Sequence, residues 1–203
     1  MGVAPRATGI LGGAFDPPHD GHVALAQAAV YHFALDRLLV RVVESPGHKR
    51  VEAGAPDRLA LARIAFADVR EAEVALDPFA WTVDSLEALE LDDPVFLVGA
   101  DEFASFHEWK EPERVLEVAR LGVATRPGYA RQALDEVLAK LARPERVELF
   151  ALDPFPVSSS EIRDRVERGA PLDRLVPARV AAEIERLGLY RPRAGYTDGT
   201  SRT

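Results

Sequence analysis

The stretch Ile10-Leu11-Gly12-Gly13-Ala14-Phe15-Asp16-Pro17-Pro18-His19-Asp20-Gly21-His22 decides the fold of this chain. An apolar run ends in two glycines, a proline pair stiffens the turn, and two histidines three positions apart arrive where a helix begins. The bare backbone at Gly12 and Gly13 lets a ligand come close, and the unpaired N–H groups of a helix start favour an anion. The imidazoles add donors that can follow charge as it develops on a phosphate. Strand, glycine turn and helix start in this order predict the first unit of a phosphate-binding α/β sheet. Taken alone, the histidine pair is also compatible with surface residues at a helix start. Zinc is disfavoured, because a zinc site needs three or four ligands and the chain has neither Cys nor an H-E-x-x-H motif. No G-x-x-x-x-G-K-S/T stretch marks a P-loop.

Outward from this segment, short apolar runs alternate with longer amphipathic ones, as parallel strands linked by helices do. Strands are predicted at 8–11, 38–43, 73–76, 95–98, 121–125 and 147–150. Asp57 is placed to cap a helix running to about Val69, and Thr82 to cap another through Ser85 and Glu87. Pro112 suits the first turn of a helix over 112–118, and 130–141 reads as a helix ended by Pro144. The fold class is therefore α/β, a Rossmann-like, open, mostly parallel sheet with helices on both faces. After Pro156 the strand signal stops, and helices at 160–168 and 177–187 predict a small helical C-terminal subdomain. The expected division is a main domain over 1–156, the helical subdomain over 157–190 and a flexible tail over 191–203.

Composition bounds the function. The chain of 203 residues has room for one well-cored domain with a small appendage. Its formal charge of -8 argues against a general nucleic-acid or anionic-membrane surface, because these need a basic footprint. A phosphate ligand must then be held by a local cluster of cations. The absence of Cys removes disulfides, thiolate metal sites and Cys nucleophiles together. No run approaches a membrane span and no charged-then-apolar leader is seen, so the expected location is cytoplasmic.

A second candidate anion site lies at Val157-Ser158-Ser159-Ser160-Glu161-Ile162-Arg163. Serine hydroxyls and free N–H groups meet at a helix start, and Arg163 sits one turn in, able to fork onto phosphate oxygens. The bland alternative is a serine cap with an exposed arginine. Between the two sites, His48-Lys49-Arg50, Gly99-Ala100-Asp101 and Thr125-Arg126-Pro127-Gly128 each follow the carboxyl end of a predicted strand, so they can converge on one crevice. Lys49 and Arg126 then supply positive charge, Asp101 can accept from ribose hydroxyls, and Trp109 offers a platform for a flat ring or closes a core edge.

These segments, in this order, resemble the nucleotidylyltransferases with an HxGH signature, and most closely the bacterial nicotinate-mononucleotide adenylyltransferases. The likeness runs nearly the whole chain, up to Tyr190. Residues 12–22 look like the GG(S/T)FDPxHxGH signature, 157–163 like ISSTxIR, and Leu97-Val98-Gly99-Ala100-Asp101 with Trp109 like the GxD…W segment. Thr125-Arg126-Pro127-Gly128-Tyr129 and Leu187-Gly188-Leu189-Tyr190 also fit. The resemblance implies in-line attack of a mononucleotide phosphate on the α-phosphate of ATP, with Mg²⁺ on the triphosphate and pyrophosphate leaving. It implies catalytic roles for His19, His22 and Arg163. ATP would be held by Gly12, Gly13, Phe15, Gly99, Asp101, Arg126, Ser159 and Ser160, and the acceptor by Lys49, Thr82 and Trp109. The implied partners are ATP and a pyridine mononucleotide, with no metal site on the protein itself.

Departures from the family pattern gather on the acceptor side. Ala14 and Ser160 replace other small residues, but Val42 and Gly47 stand where Pro is common, Glu44 adds an anion and Trp81 replaces Tyr. The first expectation is adenylation of nicotinate mononucleotide. Alternatives are the same chemistry on nicotinamide mononucleotide or another phosphorylated acceptor, and a nucleotide-binding regulatory protein without turnover.

Overall fold

The computed structural model describes residues 7–47, 50–126 and 131–192. Lys49, expected to meet the acceptor, and most of the expected tail lie outside these residues. Six strands, β1 (Thr8–Gly13), β2 (Arg37–Val43), β3 (Ala72–Asp77), β4 (Val95–Gly99), β5 (Arg120–Thr125) and β6 (Val147–Ala151), form one sheet in the order β3-β2-β1-β4-β5-β6. Every neighbouring pair is parallel. The sheet is covered on both faces, which is why its central strands read as continuous apolar runs rather than as alternation.

Right-handed crossovers divide the helices between the faces. From β1 the chain steps outward through β2 to β3, and α1 (Asp20–His32) and α2 (Ala55–Ala65) cover the first face. It then returns past β1 to β4 by way of α3 (Thr82–Leu89) and steps outward in the other direction. Accordingly α3, α4 (Ala100–Phe103), α5 (Pro112–Val118) and α6 (Arg131–Leu138) cover the second face. Two hydrophobic clusters result. Leu38, Val40 and Val42 of β2 pack with Leu25, Leu61 and Ala62 on the first face. Leu39, Phe96 and Val98 pack with Phe103, Phe106, Val115 and Leu134 on the second. The strand order reverses between β1 and β4, and there a crevice opens at the carboxyl ends of the strands.

The last two helices, α7 (Ser159–Glu167) and α8 (Ala178–Leu187), come back to the first face. Ile162 is the buried residue of α7, and Val180 and Ile184 are those of α8. All three join the cluster that holds Leu61 and Ala62.

Element ends differ from the sequence reading in ways that follow from local geometry. Gly54, not Asp57, is the N-cap of α2, which ends at Ala65. Pro56, in the first turn, sets that start one turn earlier, and Asp57 serves the helix dipole from within. Trp81 holds the extended cap position of α3, so Thr82 is its first helical residue. Ser158 caps α7, its side chain accepting from the Glu161 N–H at 3.1 Å.

Replacing Ile162 by Ala removes the apolar anchor that seats α7. Urea unfolding should show a loss of about 2–4 kcal/mol, the range for a fully buried isoleucine. An unchanged midpoint would mean that α7 is held by its polar contacts alone.

Candidate active site

The turn after β1 is fixed from beneath by one carboxylate. Asp16 is 3% exposed. Its Oδ2 accepts from the Glu52 N–H at 2.7 Å, and its Oδ1 accepts from the Ala53 N–H at 3.1 Å and from the Tyr190 hydroxyl at 2.8 Å. Burial, together with the Asp16 charge, pushes the Tyr190 hydroxyl well above its ordinary pKa, so it stays protonated as the donor. Beside this knot Arg58 is fully buried. It donates to the Ala53 carbonyl at 3.1 Å, to the Ala14 and Val43 carbonyls at 2.6 and 2.9 Å, and to the Glu44 carbonyl at 2.8 Å. Burial lowers the Arg58 pKa and the nearby Asp16 charge opposes this; a guanidinium remains charged regardless.

On this base sit the histidines. His19 is the extended N-cap of α1, and His22 stands one turn inside. Their rings stack with centroids 3.7 Å apart and planes 23° from parallel. The His19 backbone N–H donates to His22 Nδ1 at 3.2 Å, which places the proton of a neutral His22 ring on Nε2. Phe15, held at φ 49, turns its buried ring edge-on to His22 at 5.0 Å and to Phe66 at 5.7 Å. His19 is 9% exposed, and its Nδ1 is buried with no hydrogen-bond partner among the described residues. Burial lowers its pKa from 6.5 to about 4, so it is neutral at physiological pH. Gly21 keeps the space around this ring open. A Cβ there would lie 3.1 Å from His19 Nδ1 and 3.4 Å from Phe155 Cβ.

The start of α7 is stitched to the same turn. Ser159 Oγ donates to the Pro17 carbonyl at 2.8 Å. Arg163 donates from Nη1 to the Asp16 carbonyl at 2.7 Å, from Nε to Glu52 Oε1 at 2.7 Å and from Nη2 to Ser160 Oγ at 3.2 Å. The two segments that sequence separates by some 140 positions are thus joined by direct bonds, with Glu52, whose side chain is 53% exposed, as the outermost partner.

Next to this cluster a cavity of about 330 Å³ opens at the carboxyl ends of β1 to β4. Gly12 and Gly13 edge it, and Thr82 and Trp109 line it together with Trp81 and Phe79. Trp109 is held edge-on by Phe96 and Phe106, at 6.1 and 5.2 Å. Gly99 caps α4 in open space, where a Cβ would meet nothing within 4 Å. Asp101 and Arg126, both solvent-exposed, face each other at 3.6 Å. Among the described residues no three His, Asp or Glu side chains cluster to hold a metal.

The sequence reading passed over Asp16, Tyr190 and Arg58 as working parts, although Asp16 and Tyr190 lay inside quoted motifs. It also passed over Arg41 and Asp77, which line the cavity. A signal for Arg41 was available, because a charge interrupts the apolar run Leu38-Leu39-Val40-Arg41-Val42-Val43 of a strand buried on both faces.

A family model described as Cytidylyltransferase-like matches residues 10–165, which spans most of β1, the histidines and most of α7. A protein of Bordetella avium (strain 197N) named "Probable nicotinate-nucleotide adenylyltransferase" is 38% identical over 195 residues, covering 92% of this chain and 99% of its own length. The chain belongs to the nicotinate-nucleotide adenylyltransferases of the cytidylyltransferase-like family. A relative of the same name from Roseiflexus sp. (strain RS-1) is 37% identical over 203 residues, covering 94% of this chain and all of its own. Among solved structures, the Plasmodium falciparum nicotinic acid mononucleotide adenylyltransferase complexed with NaAD superposes with a TM-score of 0.75 at 16% identity, over 91% of this chain and 97% of that one. At that identity the likeness concerns the fold. For this nucleotidyltransferase it matches the Rossmann-like sheet described above.

His19 gives the enzyme an acid-sensitive contact. Its folded pKa of about 4 lies below the unfolded value of 6.5, so between these pH values the unfolded chain binds the proton and the folded one does not. The stability from keeping His19 neutral is complete above pH 6.5 and is lost as pH falls toward 4. His19→Asn should abolish roughly 3 kcal/mol of this acid-side loss in denaturant titrations run across that window. Parallel pH profiles for the two proteins would exclude it.

Proposed function

We propose that this enzyme transfers the adenylyl group of ATP to nicotinate mononucleotide, giving deamido-NAD and pyrophosphate. An oxygen of the mononucleotide phosphate attacks the α-phosphorus of ATP. The bond from that phosphorus to the bridging oxygen breaks, and pyrophosphate departs with the electron pair. No covalent bond to the protein forms, so the protein's task is alignment and stabilisation of charge. The divalent metal, read as Mg²⁺, belongs to the substrate as MgATP and screens the triphosphate.

The observation that carries this reading is the stacked His19–His22 pair at the N-terminus of α1, with His19 held neutral by burial, beside an aromatic cavity. A neutral His19 can stack on His22 without the repulsion that two adjacent imidazolium ions would feel. A phosphate brought to the ring of His19 stabilises positive charge there as the transition state develops. The positive end of the α1 dipole adds to this. Gly12, Gly13 and Phe15 shape the nucleotide site through backbone, and Gly99, Asp101 and Arg126 border its ribose and phosphate side. Ser159, Ser160 and Arg163 receive the departing pyrophosphate. In that step Glu52 yields its place on the Arg163 fork to phosphate oxygens, which match the guanidinium better. Thr82 and Trp109 hold the pyridine ring, and Lys49 is proposed to approach the acceptor's phosphate. The main domain over 1–156 and the helical portion over 157–190 act as one unit in this scheme, since each supplies one half of the phosphate clamp.

Pyrophosphate release with MgATP and nicotinate mononucleotide tests the activity directly; absence of turnover with any pyridine mononucleotide would end this reading. His22→Ala should lower kcat by roughly two to three orders of magnitude, as for loss of one donor to a developing oxyanion. An unchanged rate would remove His22 from the chemistry. Trp109→Ala should raise the KM of the acceptor more than that of ATP, because the ring platform serves one substrate only. Equal effects would remove Trp109 from that role.

A further inference from the structure

The most unusual group in the cavity is a guanidinium that interrupts the apolar run from Leu38 to Val43 of β2. On β2 the residues of the second face are Leu39, Arg41 and Val43, alternating with Leu38, Val40 and Val42 on the first. Leu39 joins the second core cluster with Ile10, Phe96 and Val98. Arg41 continues the same stripe into the cavity, with a side chain only 17% exposed. A leucine or isoleucine would extend the cluster there at no electrostatic cost.

Arg41 is also poorly satisfied. Its Nε is buried with no hydrogen-bond partner among the described residues. The Asp77 carboxylate stands 3.8 Å from its Nη2, beyond hydrogen-bond reach. Asp77 has other donors: Ser85 Oγ donates to its Oδ2 at 2.5 Å and the Phe79 N–H to its Oδ1 at 3.1 Å. Asp77 thus balances the charge of Arg41 without using up its fork. The other cation of the lining, Lys110, is held by both oxygens of Asp84, at 2.8 and 3.0 Å. Glu102 and Glu108 also line the cavity, and among the described residues of the lining Arg41 is the cation that makes no hydrogen bond to a carboxylate. A buried guanidinium with an unmade hydrogen bond is costly unless a ligand completes it.

We infer that Arg41 reads the carboxylate on the acceptor's planar ring. This rests on the proposed function and deepens it by naming the residue that selects the acidic ring over its amide. Two carboxylate oxygens match the planar fork of a guanidinium in shape and charge. A carboxamide presents one acceptor and one N–H₂ donor, so half of that fork would face another donor beside a guanidinium that is only 17% exposed. Discrimination therefore comes from the mismatch with the amide as well as from attraction to the acid. Trp81, Phe79 and Trp109 supply the apolar walls for the ring itself. Ser85 and the Phe79 N–H fix Asp77, and Asp77 in turn limits how far the guanidinium can swing.

The test is steady-state kinetics with MgATP and, separately, nicotinate and nicotinamide mononucleotide, on the wild type, Arg41→Met and Arg41→Lys, with thermal melts to match folding. Arg41→Met should raise the KM for nicotinate mononucleotide roughly 30- to 100-fold, the scale of a lost charge-assisted pair. The KM values for nicotinamide mononucleotide and for ATP should stay within about threefold of wild type. Arg41→Lys, which keeps the charge without the fork, should recover part of the loss; it carries the test alone if the Met variant does not fold. Equal losses on both mononucleotides would mean that Arg41 serves the phosphate or the fold, and would overturn the inference while leaving the activity intact. An unchanged preference in the variants would overturn it too. A wild-type enzyme without turnover on either acceptor would instead refute the proposed function and this inference with it.

Discussion

The half of the site proposed to bind phosphate leans on the Asp16 carboxylate. It accepts two backbone N–H groups from the segment before α2 and the hydroxyl of Tyr190 from beyond α8, so three distant parts of the chain meet at one buried charge. Arg58, lodged among the carbonyls of Ala14, Val43, Glu44 and Ala53, closes the knot from the other side. Removing either group would leave buried polar atoms unpaired, which costs more than the net worth of the bonds themselves. The strained backbone at Phe15 and the exact seat of His19 persist because this network over-determines them.

The chain solves a charge problem by concentration. It is acidic overall, yet its buried cation, Arg58, and the largely covered Arg163 and Arg41 lie within or beside one crevice. Most other arginines are spent on exposed ion pairs, such as Arg114 with Glu87 and Glu117 or Arg186 with Glu183. Exposed pairs of this kind contribute little to stability because solvent screens them. The interior cations act through a medium that screens them less, and this suits a site whose ligand is a polyphosphate.

The two faces of the sheet divide the work. The first face holds α1, α2, α7 and α8 and carries the histidines and Arg163; the second carries α3, α4 and α5 and forms the aromatic side of the cavity. Gly12 and Gly13 lie where the two meet, at the reversal of strand order between β1 and β4. In the proposed function the substrate chemistry follows this division, with phosphate transfer on one side and ring recognition on the other.

Sequence alone determined the strands, the parallel α/β class, the β1 turn and the helix starts at the two segments proposed to bind anions. Each is written in local signals: apolar runs, a glycine pair, serines before a helix. The caps at Asp57 and Thr82 were misread because Pro56 and the extended backbone at Trp81 moved the helix starts, and local propensity resolves such starts only to within a few residues. What only the tertiary structure decided is which polar groups meet. Asp16 and Tyr190 are 174 positions apart, Asp16 and Arg163 are 147, and Arg41 gains its meaning from Asp77 on a neighbouring strand. Hydrogen bonds and desolvation act through space over a few ångströms, so the state of His19 and the idle fork of Arg41 exist only once the sheet has brought their surroundings together.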